Sequence, residues 1–302
     1  MMKKLQLRKA SRDLVRSLGA LDTHYGDFSL SPVQIHTLVE LGQELSTISQ
    51  IALKLRIDKP NASRTLTSLA KQLLIESIVN PDDKRCHLYR LTQKGEQILN
   101  QIENSRNKQV QTVIDQFDDD ELELIESSLA KYIKALSLSR VQSSFIIRDI
   151  KSVDDSQLAS LIREVSAEYG LTEDKGFSVA DPTLDSLSEV YGAKNSQYWV
   201  IEQNGKIFGG AGFAPLAGDE SVCELQKMYF LPEVRGKGLA RALAVKCFKQ
   251  ARAIGFSQMY LETTDNLVEA IALYKSLGFE LVDRPMGDTG HTDCEVRMLK
   301  KL

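Results

Sequence analysis

The run from Leu231 to Arg241, Leu-Pro-Glu-Val-Arg-Gly-Lys-Gly-Leu-Ala-Arg, has the residue types of an anion cradle. An apolar strand end leads into a small, positive turn, and the helix that follows opens with no bulky acidic side chain. Gly236, Gly238 and Ala240 keep that turn small. Such a turn leaves backbone N–H groups unpaired at a helix N-terminus, where they can hold a pyrophosphate. Arg235, Lys237 and Arg241 add counter-charge. The indicated chemistry is binding of a phosphate-bearing, nucleotide-like cofactor in the second half of the chain.

A different chemistry is written in the first half. Residues 54–94 hold nine basic against four acidic side chains. Such a stretch reads either as a contact to a phosphate backbone or as a solvated charged face. The apolar spacing predicts helices at 47–55 and 59–73 joined by a short turn, then strands 75–79 and 87–91 around a polar turn. Helix, turn, helix and hairpin make a winged helix-turn-helix, or, on the plainer reading, an ordinary helical hairpin. In the former, the second helix enters the major groove by its N-terminal half. Asn61, Ser63, Arg64 and Thr67 lie there and are polar, with Leu66, Leu69 and Leu73 facing inward. Lys84 and Arg85 at the hairpin tip could reach phosphates or the minor groove.

Other elements must hold these groups. Apolar spacing predicts a first helix over about 4–21. Ser31-Pro32 starts a helix to about Glu44. Long helices follow over about 92–115 and 119–138, the latter opening on acids that suit the positive end of the helix dipole. Residues 140–145 read as a short polar joint, after which the period changes. Strands are expected at 145–150, 198–202, 206–213, 221–230, 257–263, 279–283 and 292–299. The Asn204-Gly205 pair is a hairpin turn. Helices are expected at 154–169, with Asp154 and Gln157 as a capping box, and at 182–191, 237–254 and 267–277.

The 302 residues suffice for two ordinary domains, and 42% apolar with 26% charged residues is the composition of a globular protein. No apolar run approaches the ~20 residues that span a bilayer. The basic N-terminal residues precede no apolar stretch, so no secretory signal is expected. Cys86, Cys223, Cys247 and Cys294 are scattered, as are the histidines, which argues for reduced thiols in a cytoplasm and against a metal centre.

Over about 4–139, Leu-Ser-Thr-Ile-Ser-Gln-Ile-Ala, Asn-Ala-Ser-Arg-Thr-Leu and Asp-Asp-Lys-Arg followed by Leu-Thr-Gln-Lys-Gly resemble the MarR family of winged-helix regulators. The resemblance implies a homodimer formed by the first and last helices and a pseudo-palindromic DNA operator. The family's wing pattern Arg-Asp-x-Arg is met by Asp83 and Arg85, but Asp82 stands where its first arginine is usual. His24, Tyr25 and His36 could line an effector pocket or serve the core or surface.

Over about 145–302, the chain resembles the GNAT N-acetyltransferase superfamily. Arg235-Gly-Lys-Gly-Leu-Ala240 fits the pattern Arg/Gln-x-x-Gly-x-Gly/Ala, and Ala270-Ile-Ala-Leu-Tyr-Lys-Ser-Leu-Gly-Phe279 follows at the expected distance. The resemblance implies acetyl-CoA as cofactor. The backbone of Met228, Tyr229 and Phe230 would pair with its pantetheine arm. The turn through Arg235, Gly236, Lys237, Gly238, Leu239, Ala240 and Arg241 would hold its pyrophosphate, and Asn266 would contact it. Tyr274 would protonate the departing thiolate; its alternative is a packed aromatic.

Transfer to an amine also needs a base. Glu224 is the best candidate, with Gln226 on the same strand face orienting the substrate, and Glu262 on the neighbouring strand ranks equally. Either carboxylate could instead be structural. His291 could bind the acceptor or be a loop histidine, and Cys294 lacks a nucleophile's partners.

The expected fold is a mostly α winged helix-turn-helix over 1–141 and an α+β unit with a central mixed sheet over 145–302. The expected function joins operator binding to direct acetyl transfer onto a small-molecule or protein amine. The alternative is an acyl-CoA-sensing domain without turnover that controls DNA binding.

Overall fold

The computed structural model describes residues 2–21, 28–81, 85–171, 178–287 and 294–302. His24, Tyr25, Asp82, Asp83, Lys84 and His291 lie outside them. The chain divides into two compact units, Met1–Ile125 and Glu126–Leu302.

Unit 1 contains helices α1 (Met2–Ser17), α2 (Pro32–Gln43), α3 (Ile48–Leu55) and α4 (Lys59–Lys71), strands β1 (Ile75–Val79) and β2 (His87–Leu91), helix α5 (Gln93–Ile114), and the start of α6 (Asp119–Gln142). Local side chains set most of these boundaries. Ser31 and Thr47 form capping boxes with Gln34 and Gln50, each satisfying two orphan N–H groups. Asp58 caps α4 through the Asn61 N–H at 2.7 Å. Arg56 ends α3 in the left-handed region at φ 55°. Ile35, Leu38, Ile51, Leu66, Leu69 and Ile102 are the fully buried centre of this unit. The wing is tied in from both sides. Ser46 bridges to Tyr89, and the Thr92 hydroxyl donates to the Leu73 carbonyl at 2.7 Å. Gly95 is required because a Cβ there would lie 2.0 Å from the Leu74 carbonyl oxygen.

Two expectations in this unit fail. Leu73 does not face inward: it lies beyond α4 at φ 61° and is 68% exposed, because the chain must reverse there to enter β1. The first helix ends at Ser17, with Leu18 and Leu21 exposed beyond it.

Unit 2 takes in the rest of α6 and a seven-stranded sheet ordered β3-β4-β5-β6-β7-β9-β8. The strands are β3 (Ile146–Asp149), β4 (Gln197–Gln203), β5 (Lys206–Leu216), β6 (Asp219–Phe230), β7 (Gln258–Thr263), β8 (Glu280–Leu281) and β9 (Val296–Lys301). All pairs are antiparallel except β6 and β7, so the sheet is mixed as expected. The helices are α7 (Asp155–Glu168), α8 (Leu187–Val190), α9 (Leu239–Ile254) and α10 (Val268–Ser276). One sheet face packs Cys223, Leu225, Met259 and Leu261 in one core with Leu243 and Phe248 of α9 and Tyr274 of α10. A second cluster joins Leu158 and Ile162 of α7 to Tyr198 and Val200 of β4. Period-2 alternation therefore sends Glu224 away from the first core.

Four boundaries differ from the sequence reading. The expected joint at 140–145 is helical through Gln142, because that side chain and Leu138 find partners in unit 2. Helix α9 starts at Leu239, since Gly238 is left-handed at φ 70°. The expected helix 182–191 splits into a 3-10 turn at Leu184–Ser186 and the short α8. Strand β9 begins at Val296, leaving Cys294 and Glu295 of the expected strand outside it, while 292–293 lie outside the described residues. The capping box at Asp154 is also absent. Its carboxylate pairs with Arg148 at 2.6 Å, while the Gln157 side chain accepts from the Ile207 N–H.

Candidate active site and DNA-reading face

Strands β6 and β7 pair over Val222–Glu224 against Gln258–Tyr260. Beyond Glu224, β6 runs on to Phe230 paired only with β5. On its other side, beyond Glu224, no strand among the described residues pairs with it, as an extended ligand arm needs. At the end of that strand comes the turn. The N–H groups of Gly236, Gly238, Leu239, Ala240 and Arg241 have no acceptor among the described residues. Both glycines are left-handed, at φ 73° and 70°. The residues present therefore fit a pyrophosphate-bearing cofactor.

The three expected cations also have protein partners. Arg235 donates to the Phe230 carbonyl at 3.0 Å, pairs with Glu168 at 2.8 Å and covers the Tyr169 ring. It braces the turn, and Glu168 offsets its charge. Lys237 lies over the Phe145 ring. Arg241 reaches the Ser276 hydroxyl at 3.1 Å and so links α9 to the end of α10. Asn266 is exposed in the turn before α10.

Glu224 is 5% exposed. Its carboxylate accepts from the Gln226 amide at 2.5 Å, and the Gln226 carbonyl accepts from the Tyr191 hydroxyl at 3.0 Å. Burial pushes the Glu224 carboxyl up to about 7, with Glu262 adding to the rise and Lys227 opposing it. Glu262 is differently placed. It accepts from the Tyr260 hydroxyl at 2.6 Å and pairs with Arg297 at 3.7 Å. Tyr274 is 7% exposed, edge-on to Phe279. Its hydroxyl has no hydrogen-bond partner among the described residues. Burial raises its pKa well above the ordinary phenol value, keeping the proton on the oxygen at neutral pH. Burial also pushes the Cys294 thiol up to about 11, so it is a thiol rather than a nucleophilic thiolate.

One feature was missed by sequence reasoning. Lys227, in mid-strand, has φ 49°, where the β5–β6 register shifts. Its carbonyl accepts from the Tyr198 hydroxyl at 2.8 Å, and its nearly buried ammonium pairs with Asp181 at 2.7 Å. Room for Tyr198 comes from Gly210 and Gly212, where a Cβ would lie 2.5 Å and 2.6 Å from its ring carbons. Glycines inside a strand pattern were the available signal.

On unit 1, Arg64 and Thr67 are exposed on α4, with Asn61 and Ser63 partly so. Ser63, Arg64, Thr67, Ser68 and Lys71 line a shallow depression of about 320 Å³. Arg85 is exposed at the hairpin end. Lys54 is taken up by Glu40 and Glu44 at 3.3 and 2.7 Å. His36 lies on the exposed side of α2.

Residues 162–279 match the acetyltransferase (GNAT) family and residues 30–87 match the MarR family. The uncharacterized N-acetyltransferase YjgM of Escherichia coli K12 is 58% identical over 158 residues, covering 52% of this chain and 95% of that protein. The HTH-type transcriptional regulator BilQ of Clostridioides difficile is 30% identical over 83 residues, covering 28% of this chain and 56% of that protein. The crystal structure of a GNAT acetyltransferase from Staphylococcus aureus Mu50 is 20% identical with a TM-score of 0.48, covering 52% of this chain and 98% of that one. The chain belongs to the GNAT acetyltransferase family. Its C-terminal part is an acetyl-CoA-dependent N-acetyltransferase. No described helix is long and apolar enough to cross a membrane.

Proposed function

We propose that this chain is a cytoplasmic regulator that binds operator DNA through a domain at 1–141 and acetylates an amine, by direct transfer, through a domain at 145–302. The observation that carries the catalytic half is Glu224: a buried carboxyl poised near neutrality where the β6–β7 pairing ends, on the strand that leads to a turn of unpaired N–H groups.

When bound, acetyl-CoA supplies the acyl group as a thioester. The turn 235–241 holds its pyrophosphate, Met228–Phe230 hold its pantetheine arm, and Asn266 contacts it. Glu224 takes the proton from the acceptor amine, directly or through water. Gln226 and Tyr191 orient that carboxylate. Glu262, already engaged by Tyr260 and Arg297, is the weaker candidate base. Tyr274 Oη holds the proton that the departing sulfur needs. The acceptor is an amine of a small molecule or a protein.

In the N-terminal domain, Asn61, Ser63, Arg64 and Thr67 read the major groove, and Lys84 and Arg85 approach the backbone or minor groove. The partner in the homodimer covers the exposed apolar residues of α1, α5 and α6, among them Leu5, Leu14, Val113, Leu129 and Ile133. The test is thiol release from acetyl-CoA across a panel of amines, with Tyr274→Phe and Glu224→Gln beside the wild type. Turnover that falls in both variants supports the reading. Tight CoA binding with no turnover on any amine would replace catalysis by sensing.

A further inference from the structure

We propose that the last two turns of α6 are part of the cofactor site, with Gln142 and Leu138 holding the pyrophosphate-binding turn open and registering its occupancy. The inference rests on the cofactor role given above to the turn 235–241.

The Gln142 side-chain amide donates to the Lys237 carbonyl at 3.2 Å. A trans peptide points its C=O and the following N–H in opposite directions. Fixing the Lys237 carbonyl on Gln142 therefore turns the Gly238 N–H away from the Gln142 side chain. Leu138 completes the support. A Cβ on Gly238 would lie 2.7 Å from Leu138 Cδ1 and 3.0 Å from Gln142 Nε2, so helix and turn are packed backbone to side chain. The Lys237 ammonium lies over Phe145, whose ring meets Phe208 edge-on. Gln203 donates to the Ser144 carbonyl at 3.1 Å. The end of α6 is thus anchored on the sheet as well as on the turn.

This support precedes the sheet, which begins at β3 after α6. An anion on the Gly238 N–H polarises the same peptide, and hydrogen bonds in series strengthen one another. The bond from Gln142 to Lys237 tightens when the turn is filled and loosens when it empties. Helix α6 starts at Asp119, within unit 1. Filling the turn is thereby linked to the order of a helix that both units share, and by reciprocity the state of that helix sets the cofactor affinity.

The test uses the full-length protein and CoA itself. Calorimetry gives the affinity, and amide hydrogen exchange reads residues 130–142. In the wild type, saturating CoA slows exchange over those residues. Gln142→Glu keeps the shape but places an acceptor against the carbonyl. It should weaken CoA binding about tenfold, the loss of a hydrogen bond with its acceptor left unpaired, and abolish the slowing even at saturation. Leu138→Ala is a second variant, in which the slowing should fall without loss of the fold. Wild-type CoA binding with α6 exchange unchanged would overturn the proposal while sparing the cofactor reading. So would unaltered CoA affinity and unaltered slowing in Gln142→Glu. Absence of CoA binding to the wild type would remove the cofactor reading and this proposal together.

Discussion

The two units put their reactive groups in opposite environments. In unit 2, Glu224, Lys227 and Tyr274 are almost out of water. In unit 1, Arg64, Thr67 and Arg85 stand in solvent on a helix and a hairpin pinned by caps and by the Ser46–Tyr89 bridge. Proton transfer needs a displaced pKa, which burial and fixed partners create. Groove reading needs donors free to leave water for base edges and phosphates, on a rigid support. The two sets differ both in side-chain type and in how far the fold withdraws them from water.

The sharpest break of that comparison is Glu224→Gln. If burial makes this carboxyl the base, the variant should lose about 10²–10⁴ in turnover. The wild type should gain activity as pH rises through about 7, where the carboxyl ionises, and the variant should lack that rise. A loss under threefold with the pH limb intact would move the base elsewhere, Glu262 being next.

The second effect is on stability. In the folded protein the Glu224 carboxyl is raised from 4.5 to about 7, so between these values the unfolded chain ionises first. Wild-type stability should therefore fall as pH rises across that window and level off above it. The difference corresponds to something on the order of 3 kcal/mol. Glu224→Gln should match the wild type near pH 4 and exceed it near pH 8 in denaturant melts. Parallel curves at both pH values would mean that Glu224 is not desolvated.

Legibility in the sequence divides by the range of the contact. Elements closed by neighbours were readable: the Asn204-Gly205 hairpin, the Ser31 start of α2, the acids opening α6, and the Gly236–Gly238 turn. That Glu224 and Gln226 share one strand face followed from period 2; the hydrogen bond between them did not. What escaped depends on distant partners. Asp154 looks like a cap until Arg148 takes it. The partners of Arg235, Glu168 and the Phe230 carbonyl, were not readable from its own segment. Residues 140–145 look like a joint until Lys237 gives Gln142 a reason to stay helical. The strained Lys227 is specified by Tyr198, across two strands.

A smaller effect tests the exposed side of the comparison. Arg64→Ala should cost about 1–3 kcal/mol on a duplex selected by the protein from a random pool, and relax preference at one base position. Lys71→Ala, on the same depression, should weaken all duplexes alike and lower the salt slope by about 1. Fluorescence anisotropy at several salt concentrations separates the two. Equal, sequence-independent losses would reduce α4 to an electrostatic contact.

The smallest effect is expected at the wing, where Arg90 pairs with Glu76 at 2.7 Å. Both side chains are about half exposed, so solvent screens most of the attraction. Glu76→Gln should change folding stability by no more than about 1 kcal/mol. Its consequence for binding has the opposite sign. Removing the carboxylate leaves Arg90 uncompensated near the hairpin, so nonspecific duplex affinity at low salt should rise, and the gain should vanish at high salt as the Debye length shortens. A drop in stability of several kcal/mol would mean that the pair is shielded from water. The wing would then belong with the buried chemistry of unit 2, and the contrast between the units would lose its exposed member.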